Sequence, residues 1–273
     1  MYAPEPLTLA SRLTKTLFAI LLSFTVLGSM LAFLPSPVFA NPVCGATIPA
    51  STTMTASIGP CVGSGLIIGA NNIVLNCAGF SITGSGTGVG ITLSGRTGVT
   101  VENCKVTGFQ NGFDLANSNS NVLILNTATC DKGDGFFLSR SSSNDLYYNT
   151  ATCPTGVAPT AKGFYLVSSN TNVLLSNKAN GNTYGIFLAT SDTNQLIANT
   201  ASSNTIDGFY LGATSHLNHI TSDTANSNGQ YGYFDASTLG PGTLGTWNYY
   251  FGDMCNLNGL HGSHPLSLGA PQP

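Results

Sequence analysis

The residues able to do acid–base or metal chemistry are few, and they are scattered. Asp131-Lys132-Gly133-Asp134 is the densest acidic spot, and the basic residues beyond position 40 are Arg96, Lys105, Lys132, Arg140, Lys162 and Lys178. A polysaccharide lyase needs carboxylates clustered for Ca²⁺ with a Lys or Arg as base. Glycoside cleavage needs two carboxylates at a set separation. Asp131, Asp134 and Lys162 are the catalytic candidates, and without a further carboxylate beside them the case for catalysis is thin. His216 with His219, and His261 with His264, could each contribute to a copper or zinc site. No Met-rich or Cys-His cluster supports them, so they read as surface residues, and neither a metal nor a cofactor is expected.

These residues are positioned by a seven-fold repeat with a period of about 22–28 residues, the mark of stacked units that bury their apolar faces against each other. Each copy carries a Gly-apolar-X-Leu box. They run Gly90-Ile91-Thr92-Leu93, Gly112-Phe113-Asp114-Leu115, Gly135-Phe136-Phe137-Leu138, Gly163-Phe164-Tyr165-Leu166, Gly185-Ile186-Phe187-Leu188 and Gly208-Phe209-Tyr210-Leu211. The last, Gly232-Tyr233-Phe234-Asp235, departs from the pattern. A second landmark precedes each box: Asn76, Asn103, Asn126, Asn149, Asn177 and Asn199, then Asp223. Two residues beyond it stands Ala78, Ala128, Ala151, Ala179, Ala201 or Ala225. Segments of three to five residues broken by Asn, Gly and Ser are too short for helices and fit three short parallel strands per coil.

Alternation sends the apolar and Leu positions of each box inward as two core columns and the X position outward. Stacked Asn amides bond from coil to coil, which makes their role structural. The position before each Gly reads Asn111, Asp134, Lys162, Tyr184, Asp207 and Tyr231, so Asp134 and Lys162 fall on adjacent coils. Asp134 and Asp207 fall three coils apart, about 14 Å, too far for either glycosidase geometry.

The Gly-apolar-X-Leu and Asn landmarks, with the opening Cys44-Gly45 through Cys61 and Ile73-Val74-Leu75-Asn76-Cys77-Ala78-Gly79-Phe80, resemble the right-handed parallel β-helix repeat of exported bacterial proteins in the pectin-lyase-like superfamily. The resemblance covers about residues 44–237 and implies an all-β, single-stranded right-handed parallel β-helix of about seven coils. It says little about activity, because the superfamily holds lyases, glycosidases, epimerases, tailspikes, adhesins and non-enzymatic surface proteins. The glycosidases' Asn-Thr-Asp, Gly-His-Gly and Arg-Ile-Lys segments are missing here. Tyr231-Gly232-Tyr233-Phe234-Asp235 only faintly matches the epimerases' Tyr-Gly-X-Asp-Pro-His. A periplasmic copper-maturation family shares the same repeat.

Residues 1–40 stand outside the repeat. Arg12 and Lys15, an apolar run from Leu17 to Leu34, then Pro35, Pro37 and Val38-Phe39-Ala40 read as a secretory signal cut after Ala40, with a retained anchor as the alternative. Residues 41–237 are assigned to the β-helix and 238–273, with Trp247, Tyr249, Tyr250 and Phe251, to a capping tail. Beyond residue 40 there remain six Lys or Arg and ten Asp or Glu, since only Glu5, Arg12 and Lys15 lie before it, for a net charge of −4. That balance argues against nucleic acid, which needs clustered cations. Once the signal is cut, no membrane is expected either.

Seven cysteines in an exported chain suggest disulfides. A Cys44–Cys61 bridge is expected at the N-terminal end. Cys77 with Cys104, and Cys130 with Cys153, share columns on successive coils within bridging reach, although stacked buried thiols are the preferred reading. Cys255 is left over.

One feature exceeds what the fold requires. The outward X position reads Phe137, Tyr165, Phe187, Tyr210 and Phe234 on five consecutive coils, a ribbon about 20 Å long. Exposed contiguous apolar surface usually marks binding, and aromatic rings suit sugar faces. Tyr184 and Asp207 lie along its edge, and the Pro154–Ala161 insertion projects beside Asp134 and Lys162. The alternative is a ribbon covered by the tail or by another subunit. The expected function is a secreted, non-catalytic carbohydrate-binding or cell-surface protein with a polysaccharide partner. A lyase or epimerase with an unusual site near Asp131, Asp134 and Lys162 is the second reading, and a structural or protein-interaction solenoid the third.

Overall fold

The computed structural model describes residues 41–129, 132–152 and 160–265. The signal segment, Cys130, Asp131, Cys153 and residues 154–159 of the insertion lie outside the described residues. The described residues form a right-handed parallel β-helix of about eight turns, with no α-helix among them. Among the described residues three parallel sheets build it, with ten, nine and six strands, the six-stranded one ending at Ala179. Every pairing joins strands of successive coils, for example Phe113 with Phe136 and Phe136 with Phe164. Among the described residues no helix is long and apolar enough to cross a membrane.

The ten-stranded sheet, hereafter sheet A, carries the Gly boxes. Its strands include Val89–Ser94, Asn111–Ala116, Phe136–Ser139, Lys162–Val167, Tyr184–Ala189, Phe209–Leu211 and Tyr231–Asp235. Three further strands, Ala46–Ile48, Leu66–Ile68 and His261–His264, lie beyond the seven boxes. Within the tail assigned from sequence to a cap, residues 238–273, two strands add to the stack. Tyr249–Phe251 pairs with His219–Thr221, and His261–His264 pairs with Tyr231–Asp235. The repeat motif decays there, and so the extra coil is hidden in the sequence.

The core is a set of columns. Leu93, Leu115, Leu138, Leu166, Leu188 and Leu211 are fully buried, as are Ile91, Phe113, Phe136, Phe164, Ile186, Phe209 and Tyr233. Phe113, Phe136 and Phe164 stack at 4.5 and 4.7 Å with near-parallel planes. Glycine opens each box because the chain there touches its neighbours. A Cβ on Gly135 would meet Ala151 Cβ and the Gly163 carbonyl oxygen, each at 2.7 Å. The close fit bends the strand, so Gly and the following residue both face inward while the residues on either side face out.

Among the described residues three asparagine ladders and one serine ladder close the turns. One Asn ladder runs Asn121, Asn144, Asn172, Asn194, Asn218 and Asn248. The second runs Asn126, Asn149, Asn177 and Asn199 and continues through Asp223 to Asp253. The third runs Asn182, Asn204, Asn228 and Asn258. Ser118, Ser141, Ser169, Ser191 and Ser215 form the serine ladder. The first coils correct the expected alignment. The N–H that donates to Asn126 Oδ1 belongs to Cys104, and Asn103 sits one residue earlier in a left-handed turn at φ 54°. Ala78 is likewise exposed at φ 50°, and Ile82 and Val106 take the place that Ala128 holds one coil later.

Cys44 and Cys61 are bridged, with Cα atoms 5.4 Å apart. Cys77 and Cys104 are also bridged, with Cα atoms 4.7 Å apart, so the preferred thiol reading is wrong for this pair. Two in-register cysteines on neighbouring parallel coils already have the short Cα separation that a bridge needs. Cys255 is buried beneath Gly232, its Cβ occupying the place that Ala has in earlier coils.

The break at Asp235 has a use. Its carboxylate is buried and accepts from Ser237 Oγ (2.6 Å), Asn248 Nδ2 (3.0 Å) and the Tyr250 hydroxyl (3.0 Å). A polar residue in the Leu column is tolerated because these donors satisfy it, and together they tie the 237–250 loop to the stack.

Candidate functional site

Sheet A places the X-position side chains side by side on its outer face, each half-buried. Phe137 and Tyr165 lie 5.3 Å apart with planes tilted by 36°. Tyr165 meets Phe187 edge-on at 5.4 Å and 86°. From there the rings pile up: Phe187 on Tyr210 at 4.3 Å, Tyr210 on Phe234 at 5.0 Å and Phe234 on His264 at 5.0 Å, all within 16° of parallel. His264 therefore extends the ribbon to a sixth coil. Only the terminal pairing reveals it, because its box reads Gly262-Ser263-His264.

Ring orientation divides the ribbon in two. Where centroids follow the coil axis and planes are parallel, each ring covers its neighbour's face, and mainly edges remain outward. Tyr184 packs edge-on against Phe187 and Tyr210 and tightens that pile. Phe137 and Tyr165 stand outside it. The coil before Phe137 carries Asp114 at the X position, so no ring covers that side.

The polar groups gather at this same end. Lys162 Nζ lies 4.5 Å from the Tyr165 ring centroid and 5.5 Å from that of Phe187, and donates to the Thr160 carbonyl at 3.0 Å. Asp134 and Lys162 meet as expected on adjacent coils, but through the backbone: the Lys162 N–H donates to Asp134 Oδ1 at 2.8 Å. Burial pushes the Asp134 carboxyl above its usual range, while that N–H and the Lys162 charge pull it back. Asp114 is raised by burial too, against a hydrogen bond from Asn111, and its charge reaches Asp134. Asp114 was missed as a site residue, although its X position one coil before Phe137 was the available signal.

Asp207 lies apart from this group. It is 2% exposed, accepts the Tyr231 N–H at 2.9 Å, and is pushed up to about 6 by burial. Tyr184 and Tyr165 hydroxyls are both raised, first by burial and then by the charges of Asp207 and Asp134 respectively.

The ladders and boxes recur in known proteins. A family profile described as "Periplasmic copper-binding protein (NosD)" matches residues 51–199 and 157–240. The chain belongs to the NosD family. The family's periplasmic description and the two disulfides mark it as an exported protein. No curated protein matches its sequence. Among solved structures, the periplasmic alginate epimerase AlgG is similar at 15% identity and TM-score 0.54, over 84% of this chain and 60% of that one. A variant of the same enzyme gives 13% identity and TM-score 0.51 over 85% and 78%. The match therefore spans about three fifths of the epimerase's own length, and at this identity the likeness is one of fold.

NosD membership raises copper, whose sites need converging thiolate, thioether or imidazole donors. Among the described residues no three His, Cys, Asp or Glu converge. His216 leans on Trp247, His219 stacks on Tyr249, and His264 caps the ring pile. Cys44, Cys61, Cys77 and Cys104 are held in disulfides, and Cys255 is buried. The described donors do not fit a copper site, and copper enters none of the chemistry below.

Proposed function

We propose that this NosD-family β-helix is a non-catalytic glycan-binding protein that meets its ligand on the outer face of sheet A. The observation that carries the reading is the unbroken ribbon from Phe137 to His264, flanked by Asp134, Lys162, Tyr184, Asp207 and Tyr231. A folded chain does not need outward rings on six coils to bury its core, and contiguous apolar surface of this kind marks binding. Phe137 and Tyr165 have ring faces outside the pile and are the expected sugar contacts, with Lys162 and Asp134 as polar partners. Asp134 and Asp207, three coils apart, are too distant to share a glycosidic bond.

Affinity electrophoresis of the purified protein through gels cast with single polysaccharides tests this. Retardation by one polymer, lost in a folded Tyr165→Ala, Tyr210→Ala variant, is the expected result. Unaltered mobility across a broad panel would remove it. The adjacency of Asp114, Asp134 and Lys162 favours a lyase or epimerase as the second reading. Release of unsaturated ends from a uronan by the wild type but not by Asp134→Asn would put that reading first.

A further inference from the structure

The ribbon has two unlike flanks. On one side stands the charged column of Asp134 and Lys162. On the other, two residues beyond each X position and on the same outer face, the side chains shrink. Ala116, Ser139, Val167 and Ala189 lie in register on successive coils, and Gly212 follows, its N–H bonded to the Leu188 carbonyl. All five are half-buried rather than packed away. Beyond them the chain turns through exposed residues with positive φ, Asn117, Arg140, Ser168 and Thr190. Large rings on one side, small half-buried residues beside them and exposed turn residues beyond leave a lower strip along the coil axis, hereafter the trough.

We infer that this trough is the glycan subsite, and that it takes a linear, uncharged polysaccharide lying along the axis at about one sugar unit per coil. The inference rests on the glycan-binding reading above. Three features specify the class. A linear ligand is required because the trough repeats at coil spacing, ~4.8 Å, close to the advance of one pyranose in an extended chain. Hydroxyl-rich chemistry is matched by Ser139, Ser168 and Thr190 and by the electropositive ring edges that the pile turns outward, which suit oxygen lone pairs. An uncharged chain is required because, among the described residues, Arg140 is the one cation on the turn side, Lys162 on the ring side is offset by Asp134, and Asp114 stands in the ring line itself one coil before Phe137. A polyuronate would bring one negative charge per coil to a strip that offers two cations over five coils, Arg140 and Lys162, with Asp114 and Asp134 beside them.

The test compares neutral glucans, mannans and xylans with alginate and polygalacturonate in affinity gels. It uses the wild type, Ala189→Arg and Ser139→Glu, with thermal melting to confirm that each variant is folded. Neutral polymers should retard the wild type, and Ala189→Arg, which fills the trough, should weaken the effect by about tenfold or more. Ser139→Glu serves as a second block should Ala189→Arg melt early. Retardation by the acidic polymers alone would overturn the uncharged class while leaving glycan binding in place. Neutral binding untouched by both folded variants would overturn the trough as its location. Retardation by no polymer would remove the underlying reading itself.

Discussion

Asp223 and Asp253 occupy consecutive rungs of a ladder whose earlier rungs are asparagines, and the Asp223 N–H donates to Asp253 Oδ1 at 2.8 Å. Asn177 and Asn199 each donate Nδ2 to a carbonyl of the coil before, at Leu146 and Leu174. At Asp223 the corresponding atom is Oδ2, which is buried with no hydrogen-bond partner. An ionised carboxylate there would face acceptors, whereas a protonated one donates as the amide does.

The first prediction is a pH dependence. Burial pushes Asp223 well above the usual carboxylate range and Asp253 up to about 6. Both are raised above the unfolded value of about 3.9, so the folded state binds their protons more tightly. Their contribution to stability is full below about pH 4 and is lost as pH rises through about 6 and beyond. Melting temperature should therefore fall from pH 4 to pH 8. Asp223→Asn, which restores the donor, should raise stability at pH 8 by about 1–3 kcal/mol and flatten the slope. Parallel melting curves for wild type and variant across that range would refute this.

A second prediction concerns the interior ladder. Asn149 donates to the Leu123 carbonyl at 2.8 Å and to Asn177 Oδ1 at 3.1 Å, and accepts from the N–H and Nδ2 of Asn126. Asn149→Ala strands several buried groups at once, so a loss of about 3 kcal/mol in urea denaturation is expected. A change under 1 kcal/mol would mean, to first order (about that size), that water replaces the amide.

The Cys77–Cys104 bridge gives a third. It closes a separation of 27 residues, and chain entropy assigns such a loop about 3.5 kcal/mol. Cys77→Ser, Cys104→Ser should lower the denaturation midpoint accordingly. Peptide mapping without reductant should recover Cys44 linked to Cys61 and Cys77 linked to Cys104, and finding either pair as thiols in the exported protein would contradict the structure.

The two halves of the ribbon should respond differently. Phe137→Ala or Tyr165→Ala should reduce glycan retardation with little change in melting temperature, because those rings lie outside the pile. Phe234→Ala removes a stacked ring between Tyr210 and His264, and should lower stability by about 1 kcal/mol or more with a smaller effect on binding. Equal binding losses in all three would show that ring orientation does not select the contact.

The repeat was legible because a solenoid presents the same environment once per coil. A Leu or Phe facing the core at Leu138 or Phe136 faces it again at Leu166 and Phe164, and the box must recur. The outward ribbon was legible for the same reason, through alternation along a strand. Where a coil departs from the average, the pattern misled. Asn103 resembles a ladder residue, yet Cys104 holds the rung, since a local left-handed turn shifts the chain by one position. The other two asparagine ladders and the serine ladder escaped because Ser, Thr and Asn also fill the exposed turns, where composition does not distinguish a buried amide from a solvated one.

By itself, then, the amino-acid order determined the fold class, the inward columns, the adjacency of Asp134 with Lys162 and the face on which the rings lie. All of these follow from periodicity and alternation, which are one-dimensional properties. Only the tertiary structure decided how the rings turn, that Lys162 rests over Tyr165, that Asp114 joins Asp134, that Cys77 bonds Cys104, and that the coil continues through His264. Those depend on side-chain torsions and on register between coils at degenerate repeats, where neighbouring chain segments and not sequence spacing select the arrangement.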